Sequence, residues 1–423
     1  MTTNKQNISL HAHFWSTCLG NLFEHYDTAL FGFLSPFLAP LIFPKQDPLT
    51  ALILTYGMIP LGMLARPLGS FVFGHIGDTQ GRQKALFFTL GGMGLVTAAT
   101  ALSPLYDQAG ILSPLIFCAG RLAMNFLAGG EIMGGAIYLL ENSPEKRHDW
   151  LSSLYNASTI GGILCASAGV TILCGLKGVE QGWRWLYALG SITALFGCWV
   201  RRQTSAEAVP AERISLHSLA ALFWHYRKAL GYVAVTAGFG YANYVMALVL
   251  LNGFIPLVTT LTKAEMTAVN TWLLMLDFCT LPLFGWLASK ISREKIMIGA
   301  ALGVLVSAIP LFLTLEGAGM AAVVAVRICM VLLGVAFFAP FHAWAQQLVP
   351  EKHRYLILSF GYAIGSQLLG GPTAAISLWC FQTTGMVSSV SWYWMALAIA
   401  ATMTLVKKVI GTTPLSTGIY PIK

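Results

Sequence analysis

Ionisable side chains set inside long apolar stretches are where this sequence can do chemistry. Glu24, His25 and Asp27 lie in the first such stretch, Arg66 in the second, Arg121 and Glu131 in the fourth, Asp277 in the eighth and Arg327 in the tenth. A charge at the centre of a bilayer costs about 3 kcal/mol or more, so such residues point to ion pairing, proton movement or ligand capture. On a helix Asn21, Glu24, His25 and Thr28 share an arc of about 100°, with Asp27 at its edge. A carboxylate there, stripped of water by apolar neighbours, is poised to accept a proton. His25, which titrates near about 6.5 in water, can do the same or tune it. The alternative is that Glu24 or Asp27 pairs with an arginine and fixes helix packing.

Arg66 and Arg121 have no carboxylate at neighbouring helical positions, and Arg121 lies about 15 Å of helix rise from Glu131. Their partners must come from other helices or from a ligand, and a guanidinium suits bidentate capture of a carboxylate. An ion pair of Arg66 with Glu24 or Asp27 is the alternative. Glu131 sits in the run AGGEIMGG, whose small residues let a neighbouring helix approach. Asp277 and Arg327 read as a salt bridge across the second half. Tyr241, Asn243, Tyr244 and Asn252 mark the seventh stretch, and aromatic boxes bind quaternary ammonium groups; Tyr241 and Asn252 are the substrate-binding candidates, with plain packing as the alternative. His342, Trp344, Gln346 and Gln367 can add hydrogen bonds.

These residues need membrane helices to position them. The chain is 56% hydrophobic and 10% charged, whereas soluble domains carry about 25% charged residues. Apolar runs of about 20 residues, enough to span a bilayer, recur at 14–42, 50–76, 85–105, 111–140, 150–174, 185–200, 229–256, 266–288, 296–315, 320–347, 356–381 and 388–406. An even number of spans puts both termini on one side. Lysine and arginine crowd the turns of that side, from Arg82 and Lys84 to Lys407 and Lys408, and the other side holds only Lys45, Lys177, Arg184 and Lys263. The termini are therefore expected in the cytoplasm. The net charge of +8 follows from this topology and from contact with anionic lipid, not from nucleic-acid binding. No cleavable signal segment is evident. The cysteines lie in apolar spans without CxxC spacing, as packing residues rather than a disulfide or metal framework. An enzyme is not expected, because no HExxH, GxSxG or paired His/Cys spacing occurs.

The chain repeats itself. Gly74, Asp78, Arg82 and Lys84 recur as Gly285, Ser289, Arg293 and Lys295 at one constant offset. Pro144-Glu145-Lys146-Arg147-His148 recurs as Pro350-Glu351-Lys352-His353-Arg354 at another, and Arg121 and Arg327 share the second offset. Two loops and an intramembrane arginine in register make duplication the reading. The expected organisation is an N-terminal six-helix half at 1–202, a polar linker at 203–228 and a C-terminal half at 229–423 with a short tail. Within the linker, SLHSLAALFWHY is amphipathic enough to lie along the interface, though a plain connector reads as well. Like-oriented halves describe an all-α, parallel-repeat transporter with its site at the midplane between them.

GNLFEHYDTALFGF (Gly20 to Phe33), ARPLGSFVFGHIGDTQGRQKAL (Ala65 to Leu86), AGGEIMGGAIYLLENSP (Ala128 to Pro144), GWRW (Gly182 to Trp185) and RYLILSFGYAIGSQLLGGP (Arg354 to Pro372) resemble blocks of the major facilitator superfamily, in particular its metabolite/proton symporters for proline/betaine, 2-oxoglutarate, citrate and shikimate. The resemblance covers essentially the whole chain and implies twelve helices in two pseudo-symmetric halves. It departs at His25, where relatives usually have Trp, at Thr28 (Phe), Thr79 (Arg), Met124-Asn125 (Gln-Gly) and Ala363 (Asn), and no long C-terminal extension follows the last span. Glu131 recurs in the family motif, where proton coupling and interhelical pairing are both open.

Gly74, Gly77, Asp78, Gly81, Arg82 and Lys84 read as a tight charged loop. Asp78 can meet the positive N-terminus of the helix after Arg354, and Glu141 and Arg147 can join it, forming a latch on the cytoplasmic side. Ser289 in place of the acid predicts a weaker second latch around Arg293. The expected function is proton-coupled symport of a small carboxylate or zwitterion in the bacterial inner membrane, by a monomer that uses the proton gradient and no cofactor. Arg66 and Arg121 would hold substrate, and Glu24, His25, Asp27 or Glu131 would carry the proton. The alternatives are a proton-driven exporter of drugs or amphiphiles, and a non-transporting sensor.

Overall fold

The computed structural model describes residues 2–43, 62–176, 179–203 and 216–411, which contain helices and no strand. Each apolar stretch overlaps a helix: α1 (Thr2–Ile42), α2 (Ala65–Gln80), α3 (Arg82–Ala101), α4 (Leu112–Glu141), α5 (His148–Gly175), α6 (Val179–Gln203), α7 (Arg227–Val258), α8 (Lys263–Lys290), α9 (Arg293–Leu313), α10 (Met320–Phe338), α11 (354–384) and α12 (Trp392–Gly411). The first part of the second stretch (50–61), linker residues 204–215 and the tail from 412 lie outside the described residues. Among those described, eight helices are long and apolar enough to cross a membrane by that measure alone. α1, α2, α6 and α11 are not among them; α2 is described over 16 residues, and α11 is interrupted by a turn at 371–372. The outer surface is apolar, with Leu95, Leu102, Trp185 and Val306 all largely exposed, as suits side chains that face lipid.

The packing repeats. α1 lies along α5, α2 along α4 and α3 along α6; α7 lies along α11, α8 along α10 and α9 along α12. Adding six to each helix number of the first set gives the second, so the duplication read from the sequence is a repeat of packing. Among the contacts that join the sets, α5 with α8 and α2 with α11 obey the same rule. The amphipathic helix Leu216–His225 crosses this seam. Its Phe223 ring lies 6.1 Å from Phe71 on α2 and 5.2 Å from Phe360 on α11.

The two sets differ in regularity. α1 and α5 run as uninterrupted α-helix over their described residues. α7 contains a π-helical turn at Val245–Leu250 and α11 another at Gly365–Gly370. Prolines do not separate the sets: Pro256, Pro282 and Pro310 lie inside α7, α8 and α9, and Pro36 and Pro40 inside α1, where each removes a backbone donor.

Close approach of helices rests on glycine. A Cβ on Gly69 of α2 would stand 1.6 Å from the Phe126 carbonyl oxygen of α4, so the helices would have to separate to admit any side chain. Overpacking of this kind costs about 1–3 kcal/mol or more. Gly69→Val is expected to lower the melting temperature of the detergent-purified protein measurably, and Gly32→Ala, where nothing lies within 4 Å of the added carbon, to leave it unchanged.

Candidate functional site

α1, α2 and α4 bring the intramembrane charges of the first half together. The Arg66 Nη2 atom lies 3.0 Å from Glu24 Oε1, and both side chains are buried. The Arg121 Nη2 atom donates to Asp27 Oδ2 at 2.7 Å, and Thr97 Oγ1 donates to Asp27 Oδ1 at 2.9 Å. The Arg121 guanidinium also covers the Phe31 ring at 4.6 Å. Both arginines thus have interhelical carboxylate partners. The two pairs are bonded differently. Asp27 has a partner on each oxygen, whereas neither oxygen of Glu24 makes a hydrogen bond of good geometry among the described residues, nor does Arg66 Nε. Glu131 is fully buried and accepts from Thr89 Oγ1 at 2.8 Å. His25 is half-buried, with Nδ1 2.9 Å from the Asn21 carbonyl oxygen.

Around the Glu24–Arg66 pair the second half contributes tyrosines. Tyr362 of α11 lies within electrostatic range of Arg66, Glu24 and Tyr241, and Tyr241 of α7 within range of Arg66. Both are half-buried, and the Tyr362 ring also lies 5.9 Å from that of Phe341. Tyr362 is a residue that sequence reasoning missed; its signal was its place one helical turn before Ser366 and Gln367 in the block RYLILSFGYAIGSQLLGGP.

The salt bridge expected between Asp277 and Arg327 does not form. Arg327 is buried and donates to the carbonyls of Ala247 and Met266 and to the side-chain oxygens of Asn252 (2.8 Å) and Asn270 (2.7 Å). The π-helical turn of α7 supplies Ala247, so neutral acceptors satisfy the guanidinium without a carboxylate. Asn252, a substrate-binding candidate, is held in this network and also donates to the Leu248 carbonyl.

The stretch from Gly74 to Lys84 is not the tight loop that its glycines and charges suggest. α2 continues to Gln80, Gly81 alone breaks it at φ +100°, and α3 begins at Arg82. That φ favours glycine. Gly74 and Gly77 serve a crossing instead: added Cβ atoms would stand 2.7 Å from Leu356 Cα and 1.9 Å from the Tyr355 ring. This contact brings Asp78 to the N-terminus of α11, where it accepts from the backbone N–H groups of Tyr355 (3.1 Å) and Leu356 (2.9 Å). First-turn amides have no partner within their helix, and a hydrogen bond to a charged group contributes about 1.5–3 kcal/mol.

Arg82 pairs with Asp78 and with Glu141 (3.2 Å) and donates to the Glu351 carbonyl at 2.6 Å. Glu141 pairs in turn with Arg354 at 2.7 Å. Two acids and two arginines leave the cluster neutral overall. Outside the membrane spans, His353 is held below its ordinary titration range by burial, and the cations Lys352, His225 and Arg82 add to that effect, so it brings no further positive charge at neutral pH. Arg147 is exposed on the turn Glu145–Arg147 and is not in this cluster among the described residues.

The echo in the second half is rearranged. Among the described residues, Ser289 bonds within its own helix, to the Trp286 carbonyl. Arg293 instead pairs with Asp149 of α5 at 3.0 Å and donates to the Ala343 carbonyl. Asp149 occupies the repeat position of Tyr355, so the acid missing from α8 is supplied across the seam. Ser152 and Asn156 of α5 extend this contact to the carbonyls of Ala339 and Phe338, and His342 Nε2 lies 3.0 Å from Asn156 Oδ1. Behind both clusters Cys18 is buried with Leu139, Tyr155 and Ala343. Asp78→Ala is expected to loosen this end and raise the labelling rate of Cys18 by a small hydrophilic maleimide several-fold or more, read by peptide mass spectrometry; an unchanged rate would show that the clusters do not hold the end shut.

A family model described as "Sugar (and other) transporter" matches residues 14–202. The chain is 26% identical over 391 residues to the alpha-ketoglutarate permease of Escherichia coli (strain K12), covering 90% of both chains. It is 23% identical over 429 residues to the proline/betaine transporter of the same organism, covering 96% of this chain and 83% of the relative. Among solved structures, the major facilitator superfamily proton:xylose symporter XylE bound to 6-bromo-6-deoxy-D-glucose aligns with a TM-score of 0.74 at 17% identity over 96% of each chain. With full-length relatives that are transporters, and an all-helical fold shared with the solved neighbour, this chain is similar to transporters of the major facilitator superfamily and has their fold.

Proposed function

We propose that the protein is a proton-coupled symporter of a small carboxylate or zwitterion, working by alternating access between two halves, 1–202 and 229–423, joined by the linker 203–228. The observation that carries this reading is the incomplete bonding of Glu24 and Arg66, beside the half-buried tyrosines of the facing half. Asp27 and Arg121 are fully engaged with each other and with Thr97, a structural pair. Glu24 has oxygens to spare for a proton. Neutralising it withdraws the counter-charge of Arg66 and leaves the guanidinium to a substrate carboxylate. Proton and substrate then favour the same state, which is the basis of coupling. Glu131, within electrostatic range of Glu24, and His25 modulate that proton.

The names of the relatives, a proline/betaine transporter and an alpha-ketoglutarate permease, support a substrate with a carboxylate, and the solved neighbour is named as a proton symporter. The protein acts as a monomer in the bacterial inner membrane with cytoplasmic termini, driven by the proton gradient without a cofactor. The Asp78–Arg354 and Asp149–Arg293 clusters latch the cytoplasmic side.

Purified protein in liposomes is expected to accumulate proline, glycine betaine or 2-oxoglutarate when the outside is made acidic. Glu24→Gln should abolish gradient-driven accumulation while retaining counterflow exchange, and Arg66→Lys should reduce both by about tenfold or more. Accumulation by Glu24→Gln at the wild-type level would sink the proton role, and unchanged uptake by Arg66→Lys would sink the carboxylate role.

A further inference from the structure

Among the described residues, Asp277 is an intramembrane acid without a counter-charge. It is half-buried on α8, and no ion pair or side-chain hydrogen bond engages it among the described residues. Its helix packs on α5 of the other half. The next residue, Phe278, would stand 3.5 Å from a Cβ on Gly161 of α5, so Asp277 sits beside the seam between the halves. Carboxylates are costly in this setting, and Asp27, Asp149 and Glu141 each have an arginine.

The repeat places it. The offset that carries Gly74 to Gly285 and Arg82 to Arg293 carries Arg66 to Asp277. The two residues occupy equivalent positions on α2 and α8 with opposite charge. Two aromatic rings of α7 are each near one or the other. Tyr241 is within electrostatic range of Arg66, and Tyr244 is within range of Asp277 and Tyr241. The two rings are 6.2 Å apart, centroid to centroid, and both are half-buried. Arg66 near Tyr241 and Asp277 near Tyr244 thus bring a cation and an acid to the two ends of an aromatic pair, whose faces attract ammonium groups.

We infer that Asp277 is the cation-binding residue of the transport site, taking the ammonium group of a small zwitterion against Tyr244 while Arg66 takes its carboxylate. This rests on the proposed transport function and narrows its substrate class. A zwitterion answers both end charges and leaves the loaded site neutral once Glu24 is protonated. A dicarboxylate answers Arg66 and meets a like charge at Asp277.

Binding of radiolabelled proline, glycine betaine and 2-oxoglutarate to the purified full-length protein tests this. The wild type is expected to bind a zwitterion in preference to 2-oxoglutarate. Asp277→Asn should weaken zwitterion binding by about tenfold or more, with Asp277→Glu recovering part of it. Tyr244→Leu should weaken glycine betaine more than Tyr244→Phe does, and it carries the test should Asp277→Asn fail to fold by size exclusion and melting temperature. Unchanged zwitterion binding in Asp277→Asn, or wild-type preference for 2-oxoglutarate, would overturn the role of Asp277 and leave carboxylate transport through Arg66 standing. A wild type that binds none of the three overturns both.

Discussion

A guanidinium inside an apolar bundle has to be met by acceptors, and the way each arginine of this chain is met sets what its neighbourhood can do. Arg121 is met by a carboxylate that has a second donor of its own, and the result is a closed pair that fastens α1 to α4. Arg327 is met by carbonyl and amide oxygens alone, and becomes a knot tying α7, α8 and α10. Arg66 is met by one acid with poor hydrogen-bond geometry. Of the three, only Arg66 has an arrangement that a proton or an anion can improve on. Breaking a buried pair by removing one partner is usually costly because it strands the other charge; a ligand that replaces the lost partner removes that cost.

The seam between the halves uses the same currency at its edge as at its centre. Asp78 on one side caps the first turn of α11, and Asp149 on the other receives Arg293. Duplication supplies the geometry twice, while the charges have changed hands between the copies. The contact is retained although its local sequence signature is not, because the fold requires an acid near that arginine and is indifferent to which helix contributes it.

Much of this was legible in the sequence where the deciding contact is local or repeated. The partnership of Asp78 with the helix after Arg354 could be read because one repeat offset points to that helix and first-turn amides need an acceptor. The share-out of Glu24 and Asp27 between Arg66 and Arg121 could not be read, since it depends on the relative rotation of α1, α2 and α4, which no residue spacing encodes. Asp277 and Arg327 were misjudged for a related reason: opposite charges in one half suggest a pair, yet the π-helical turn brings Ala247 and Asn252 to Arg327 first. Asp149 was passed over because it lies at a helix start, where an acid is explained by the helix alone.

The π-helical turns have a mechanical meaning as well. Two helices of the second half are rewound near their middles, whereas α1 and α5 of the first half keep the α-helical pattern over the residues described, α1 even across Pro36 and Pro40. The rewound turns lie in α7 and α11, the helices that carry Tyr241, Tyr244 and Tyr362, so bending at either turn would move those rings.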